Sequence, residues 1–227
     1  GGVIMSVTVR IKQKSLFKKK MNIEDIIKFT GLSYGVCDEN YRLDRGEIDE
    51  HTLIYDEAKL ARGFELWLEG SDVLLSLSLP TAPSEIRLFY SLVEQLCKEF
   101  NTKKYLREDE EAYLYETDEY IEWDEEASVA ALEDMMSKTE DEYRCFEIFG
   151  IYNPISIGQK ELQRIDCNLN NLEDFLHEIQ SLDVYYATPS VYRKKDTNEL
   201  FGIYSIVADV PCVVPNKPYI ILDQIKE

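Results

Sequence analysis

The chain has 227 residues, a net charge of −19 and a hydrophobic content of 44%. That is apolar enough for one large domain or two small ones rather than a disordered polymer. An acidity of this size excludes nucleic acid held through its phosphates, and adhesion to an anionic membrane, as expected functions. No apolar run approaches the roughly 18 residues of a membrane span. The first 20 residues carry Arg10, Lys12, Lys14, Lys18, Lys19 and Lys20 without the apolar stretch of a secretory signal. Met5 reads as a start residue behind a non-native Gly1-Gly2. The five cysteines, 37, 97, 145, 167 and 212, are odd in number and contain no close pair. Reduced thiols in a cytoplasmic protein are the expectation.

From Ser6 to Gln13, Val7, Val9 and Ile11 alternate with Thr8, Arg10 and Lys12, which predicts an opening strand. Asn22 is placed to cap a short helix that carries Glu24 and Asp25 in its first turn and stops at Gly31. Residues 32–63 mix aromatic and turn residues without a clear period and are expected to form a long, partly ordered connection, with a short strand or a helical turn in LIYDEAKLARGF. The best-defined core follows. Phe64, Leu66 and Leu68, then Val73, Leu75, Leu77 and Leu79, alternate with more polar neighbours around Glu69-Gly70-Ser71-Asp72, which predicts a hairpin. Ile86, Phe89, Tyr90, Val93, Leu96, Cys97 and Phe100 recur at steps of three and four and mark one face of a helix, with Thr81 or Ser84 as its cap.

Beyond it, KKYLR reads as a short strand and 125–138 as a second helix with Val129, Leu132, Met135 and Met136 on one face. Cys145–Tyr152 reads as a strand, NPISIG as a turn with an extended piece, and KELQRI as a helical turn. A helix capped by Asn171 carries Leu172, Phe175, Leu176, Ile179 and Leu182. Val184–Arg193 and Leu200–Asp209 pair as a hairpin around KKDTNE, with Pro189 demoting the first to an edge strand or introducing a bulge. A proline-punctuated extended tail ends in YIILDQI. Together these elements predict an α+β fold, antiparallel or mixed sheets built from β-hairpins and packed against amphipathic helices. They form a single compact domain over 1–227, or two closely packed lobes, about 1–104 and 143–227, joined by the acidic segment 105–142.

Charge is concentrated in that segment. Glu108–Glu142 holds sixteen carboxylates and one basic residue, Lys138, and so carries −15 of the −19. Tyrosines and a tryptophan are interleaved with the carboxylates. One reading is a solvated face. The other is a docking surface for a basic protein partner, in which Glu119, Glu122 and Asp124 steer the encounter and Tyr113, Tyr115, Tyr120 and Trp123 anchor it. The basic N-terminus of the chain is an internal candidate to cover part of it.

Catalytic signatures are weak. The 10 glycines form no phosphate-binding run. His177-Glu178 lacks the second histidine of a zinc-protease helix, because position 181 is serine. No EF-hand spacing occurs in the acidic window, and the cysteines and histidines are too scattered for a zinc site. A nucleophilic pair of His177 with Cys145, Cys167 or Cys212 is less economical than two core cysteines and a solvated histidine. No catalytic, cofactor or metal residue is therefore assigned.

The run DVLLSLSLPTAPSEIRLFYSLVEQLCKEF, the turn GIYNPISIG and the stretch NLEDFLHEIQSLDVYYATPSVYRKKDTNELFGIYSIVADVP resemble an uncharacterised family of bacterial cytosolic proteins, a domain of unknown function, over most of the chain. The resemblance implies no reaction, cofactor or catalytic residue. The expected function is a cytoplasmic protein-binding or regulatory module, by analogy with small acidic immunity or antitoxin proteins that neutralise basic partners. An enzyme with an unrecognised pocket and a homo-oligomeric structural protein are the alternatives.

Overall fold

The structure, a computed structural model, describes residues 6–13, 20–38, 42–138, 145–187 and 189–214. The chain divides into two compact units, Gly1–Ser181 and Leu182–Glu227. In chain order the first contains β1 (Ser6–Lys12), α1 (Ile23–Thr30), β2 (Ser33–Cys37), β3 (Leu43–Arg45), β4 (Thr52–Tyr55), β5 (Phe64–Glu69), β6 (Asp72–Ser78), α2 (Pro83–Glu99), β7 (Lys104–Arg107) and β8 (Glu110–Tyr113). A 3-10 turn (Leu114–Glu116) leads into α3 (Thr117–Lys138), followed by β9 (Phe146–Ile148), β10 (Ile155–Ile157), α4 (Gln159–Ile165) and α5 (Leu169–Gln180).

The β5–β6 hairpin turns at Gly70, whose φ of +63° favours glycine. Its register sets Phe64 opposite Leu77, Leu66 opposite Leu75 and Leu68 opposite Val73. β1 then adds Val7, Val9 and Ile11 in the same rows. The two-residue period puts all of these on one face, and the helical period of α2 delivers Ile86, Phe89, Val93 and Leu96 onto it. Phe64 and Phe89 meet edge to face at 5.6 Å. Helix α1 adds Ile26 and Ile27. Asn22 caps it reciprocally with Asp25, and Gly31 ends it in the left-handed region, as its sequence predicts.

Eight strands form this sheet, in the order β3-β2-β4-β5-β6-β1-β7-β8. Every neighbouring pair is antiparallel. Two stretches read as connections or left without a sequence signal are strands here. Residues 32–63 supply β2, β3 and β4, the last over the start of LIYDEAKLARGF, where a short strand is one of the two expectations, and 110–113 supply β8. Each is five residues or fewer, too short to establish a period. Each exists because a neighbouring edge was open: Ile54 pairs with Phe64, and Leu106 with Glu111.

The start of α2 also differs from expectation. Its N-cap is Ala82, with no side-chain cap, and Pro83 follows at the first helical position. The hydroxyl of Thr81 donates to Glu85 instead, and the free Ser84 N–H is taken by the Glu173 carboxylate of α5 at 3.0 Å. Similarly α5 is capped by Asn168 rather than Asn171. The Asn168 side chain accepts from the N–H groups of both Asn170 and Asn171.

A second apolar cluster joins Leu132 and Met135 of α3 to Ile155 and Ile157 of β10, Leu162 and Ile165 of α4, and Leu172, Phe175 and Leu176 of α5. The loop between β9 and β10 is clamped by Gln180. Its Oε1 accepts from the N–H groups of Tyr152 and Asn153 at 2.7 and 2.9 Å, and its Nε2 donates to the Asn153 carbonyl at 2.7 Å. Gly150 lies against this clamp: a Cβ there would sit 2.3 Å from Gln180 Nε2. Gly150→Ala is therefore expected to displace Gln180 and cost about 1–3 kcal/mol through the stranded buried amides, readable as a lowered urea midpoint.

The second unit contains β11 (Tyr185–Tyr186), β12 (Pro189–Arg193), β13 (Leu200–Tyr204) and β14 (Cys212–Val213). β12 and β13 form the expected antiparallel hairpin, with Pro189 at the first position of its strand. β11 and β14 pair in parallel. The α+β class holds, with hairpin-built antiparallel sheets and, among the described residues, this one parallel pair. The tail 215–227, with its YIILDQI, and the basic residues Lys14, Lys18 and Lys19 lie outside the described residues.

Candidate functional site on the acidic helix

Helix α3 begins at Thr117, eight residues before the start read from its apolar positions. Its buried stripe is Tyr120, Asp124, Ser128, Ala131, Leu132 and Met135. Half of that stripe is polar or small, so hydrophobic periodicity conceals the first two turns. The polar members have their own logic. Asp124, 1% exposed, accepts from the Tyr90 hydroxyl of α2 at 2.6 Å and pairs with Arg107 of β7 at 2.5 Å. Arg107 Nε also donates to the Tyr90 hydroxyl at 3.0 Å, and its guanidinium stands 5.1 Å from the Tyr120 ring. Burial pushes the Asp124 carboxyl up from its ordinary value, against the hydrogen bond from Tyr90 and the charge of Arg107. It likewise pushes the Tyr120 phenol up to about 12. This triad pins the acidic helix to both the sheet and α2. A double-mutant cycle over Arg107→Met and Asp124→Leu is expected to return a coupling of about 2 kcal/mol in denaturant titrations.

The opposite side of α3 follows the same 3.6-residue repeat. Glu119, Glu122, Trp123, Glu126, Ala130 and Glu133 are exposed along one stripe. Between this stripe and the start of α5 lies an open groove of about 420 Å³, lined by Glu122, Glu125, Glu126, Val129, Ala130, Glu133 and Leu169. Its walls are carboxylates, and Val129, Ala130 and Leu169 give it an apolar strip. Glu125 pairs with Arg87 at 2.6 Å. Among the described residues, Glu119, Glu122, Glu126 and Glu133 are in no ion pair.

The seven residues singled out from the sequence divide. Glu119, Glu122 and Trp123, the last 47% exposed, lie on the open stripe. Tyr115 is 81% exposed in the preceding 3-10 turn, and half-buried Tyr113 stacks on it at 5.3 Å. The Tyr113 hydroxyl donates to Glu111, which pushes its pKa up. Tyr120 and Asp124 are corrections. Both face inward, Tyr120 with its hydroxyl on Glu116 at 2.7 Å, and neither is available to a partner. The sequence reading missed Glu126, Val129, Ala130, Glu133 and Leu169. The carboxylates at 119, 122, 126 and 133 carry a helical period that becomes legible once the helix starts at 117. Leu169 comes from another element and has no sequence signal. The N-terminal basic stretch does not supply Arg10 to this surface: Arg10 pairs with Glu69 at 2.5 Å and Asp72 at 3.6 Å.

Two other places hold chemistry-bearing side chains. Lys59, Ser84, Glu173, Asp174 and His177 line a cleft of about 120 Å³, smaller than the roughly 300 Å³ at which small-molecule sites begin. Deeper in the fold, the fully buried Glu85 accepts from Gly63 N at 2.6 Å, Arg62 N at 3.1 Å and the Thr81 hydroxyl. The buried Arg62 guanidinium donates to the carbonyls of Phe149 and Pro80 at 2.9 and 3.0 Å. These hydrogen bonds tie the N-terminus of α2 to the loop at Arg62 and Gly63 and to Phe149, so the node acts as a brace. Among the described residues no group of three or more His, Cys, Asp and Glu side chains is arranged to hold a metal ion. No described helix is long and apolar enough to cross a membrane.

Fold and surface together define an α+β protein whose antiparallel sheet carries a bridging acidic helix. The chain belongs to the family described as Domain of unknown function (DUF4299), which matches residues 6–227. Searches of curated proteins and of solved structures returned no match.

Proposed function

We propose that this protein is a binding module that docks a basic, amphipathic segment of a protein partner along α3. The observation that carries this reading is the groove itself, in which Glu122, Glu126 and Glu133, in no ion pair among the described residues, flank the apolar strip of Val129, Ala130 and Leu169. The spacing suits a helix that presents Lys or Arg at three- and four-residue steps beside an apolar stripe. Exposed Trp123 is the aromatic anchor, and the carboxylates steer the encounter. A cytoplasmic setting accords with five free cysteines, of which the buried Cys97 has its thiol pushed up to about 12 by burial. The bacterial setting is what the sequence resemblance implies.

The test is fluorescence anisotropy with a synthetic Lys/Leu amphipathic helix as probe. The triple variant Glu122→Gln, Glu126→Gln, Glu133→Gln is expected to weaken binding about tenfold or more at low salt. Neutralising three other exposed carboxylates, Glu24, Glu47 and Glu50, makes the same change in net charge and is expected to leave affinity within about twofold. Trp123→Ala is expected to cost about 1–2 kcal/mol of binding. Equal losses in the two triple variants would reduce the surface to generic acidity and sink the proposal.

A further inference from the structure

The β12–β13 hairpin of the second unit has two outer edges, and they differ in chemistry. At its closed end Lys194 N donates to the Glu199 carbonyl at 2.9 Å. Backbone groups alternate sides along an antiparallel strand. In the observed register, Ser190 and Tyr192 therefore turn theirs toward β13, while Val191 and Arg193 turn theirs outward. On β13 the outward set is Leu200, Gly202 and Tyr204. Among the described residues neither edge pairs with a further strand. The β12 edge runs from Pro189, which has no N–H, to Arg193. A proline and a charge are what keep an exposed edge from pairing. The β13 edge, Leu-Phe-Gly-Ile-Tyr, has neither.

The hairpin is also apolar. Tyr192, Phe201 and Ile203 share one face and are 51%, 38% and 44% exposed, with the Tyr192 and Phe201 rings stacked at 5.8 Å. A two-stranded hairpin is marginal in water, whereas three or more strands with an apolar face are stable. Charge restricts what can supply them. Leu182–Glu227 holds six acidic and five basic residues, a net −1, so Gly1–Ser181 carries −18. Two copies repel one another through the first unit and meet without that penalty through the second.

We propose that β13 pairs antiparallel with β13 of a second copy, joining two hairpins into one four-stranded sheet. A two-fold axis at Gly202 is the one register in which all five residues of the strand find counterparts within the strand. Across protomers it sets Gly202 opposite Gly202, Leu200 opposite Tyr204 and Phe201 opposite Ile203. Every outward N–H and C=O of β13 then gains a partner, as a self-complementary interface requires. Phe201 of one protomer against Ile203 of its partner extends the Tyr192–Phe201 stack into a row across the new sheet. Glu199 falls opposite Ser205, so no like charges meet.

Sedimentation equilibrium on the full chain from about 1 to 100 μM reads the association. The expected result is a reversible monomer–dimer equilibrium. Hydrogen exchange of 200–204 should slow as the dimer fills, while that of 64–100 stays unchanged. Ile203→Lys and Phe201→Glu are each expected to raise the dimer dissociation constant about tenfold or more. Val191→Lys and Val191→Glu make the same charge changes on β12 and are expected to leave it within about twofold. Mixing Ile203→Lys with Phe201→Glu in equal amounts should restore a dimer. The register sets the new ammonium against the new carboxylate at one contact and keeps the native Phe201 and Ile203 at the other. A monomer at every concentration overturns the proposal, and so does a dimer that either interface variant leaves intact. Equal losses in the Val191 variants, or no recovery on mixing, overturn it as well, because the contact is then not the one this register sets.

Discussion

Val93→Asp is expected to yield no soluble, cooperatively folding protein. Val93 is 1% exposed on the face of α2 that packs against the strand rows of Phe64, Leu66, Leu75 and Val9. A carboxylate there has no donor and no counter-ion. Either it remains ionised in an apolar medium or it is neutralised at a large cost, and the penalty is several kcal/mol. Added to the lost packing, this consumes most of the roughly 5–15 kcal/mol that holds a domain of this size together. Two controls separate burial from helix propensity. Val93→Ala removes only packing and should remain folded with a loss of about 2–3 kcal/mol. Gln95→Asp, two residues on and exposed, should change stability by about 0.5 kcal/mol or less. Soluble expression and a circular-dichroism melt read all three. A sharp melt for Val93→Asp would mean that α2 buries a different face.

The second large effect is expected at the brace beneath the N-terminus of α2. Glu85→Ala strands two backbone N–H groups and a threonine hydroxyl, and leaves the buried Arg62 guanidinium without its nearby carboxylate. The expected loss is about 3–5 kcal/mol, because breaking a buried charged network from one side leaves the other side uncompensated. Burial holds the Glu85 carboxyl above its usual 4.5 and draws Arg62 down to about 10. The sign of the pH dependence follows. Well below pH 4.5 folded and unfolded chains both carry the proton, and Glu85 adds no slope. As pH rises past 4.5 the unfolded chain releases its proton first, so the stability associated with this group declines with pH until the folded carboxyl ionises. Glu85→Gln removes this contribution. The urea midpoint of the wild type should therefore fall relative to that of Glu85→Gln as pH is raised from 4 towards neutrality. A gap that widens in the opposite sense would mean that the three donors and Arg62 outweigh burial, and that the carboxyl is ionised throughout.

These two sites also show where the sequence was legible. Val93 was readable because an amphipathic helix and an alternating hairpin declare their apolar faces through two fixed periods, and burial of those faces is the dominant favourable term in folding. Glu85 was readable only as an acid in the first turn of a helix, where the dipole favours it. Its role as acceptor for Arg62 and Gly63 depends on a loop more than twenty residues upstream, and no period links them. Asp124 shows the same limit. In the chain it is one of sixteen carboxylates in an acidic window. Only the approach of Arg107 and Tyr90 turns it from a surface charge into an internal pin.

The sequence by itself determined the α+β class, the β5–β6 hairpin, the buried face of α2, the capped helix α1, the hairpin of the second unit and the concentration of negative charge. Each rests on local spacing or composition. The tertiary structure decided which short segments became strands, because β2, β3, β4 and β8 are too short to show a period and are fixed by pairing with the strands next to them. It also decided which carboxylates of α3 turn inward and which line the groove with Leu169. The first turns of α3, which bury Asp124 and Ser128, have no apolar stripe to announce them, so only the partners they pack against identify their inner side, and with it the acidic face left open to water.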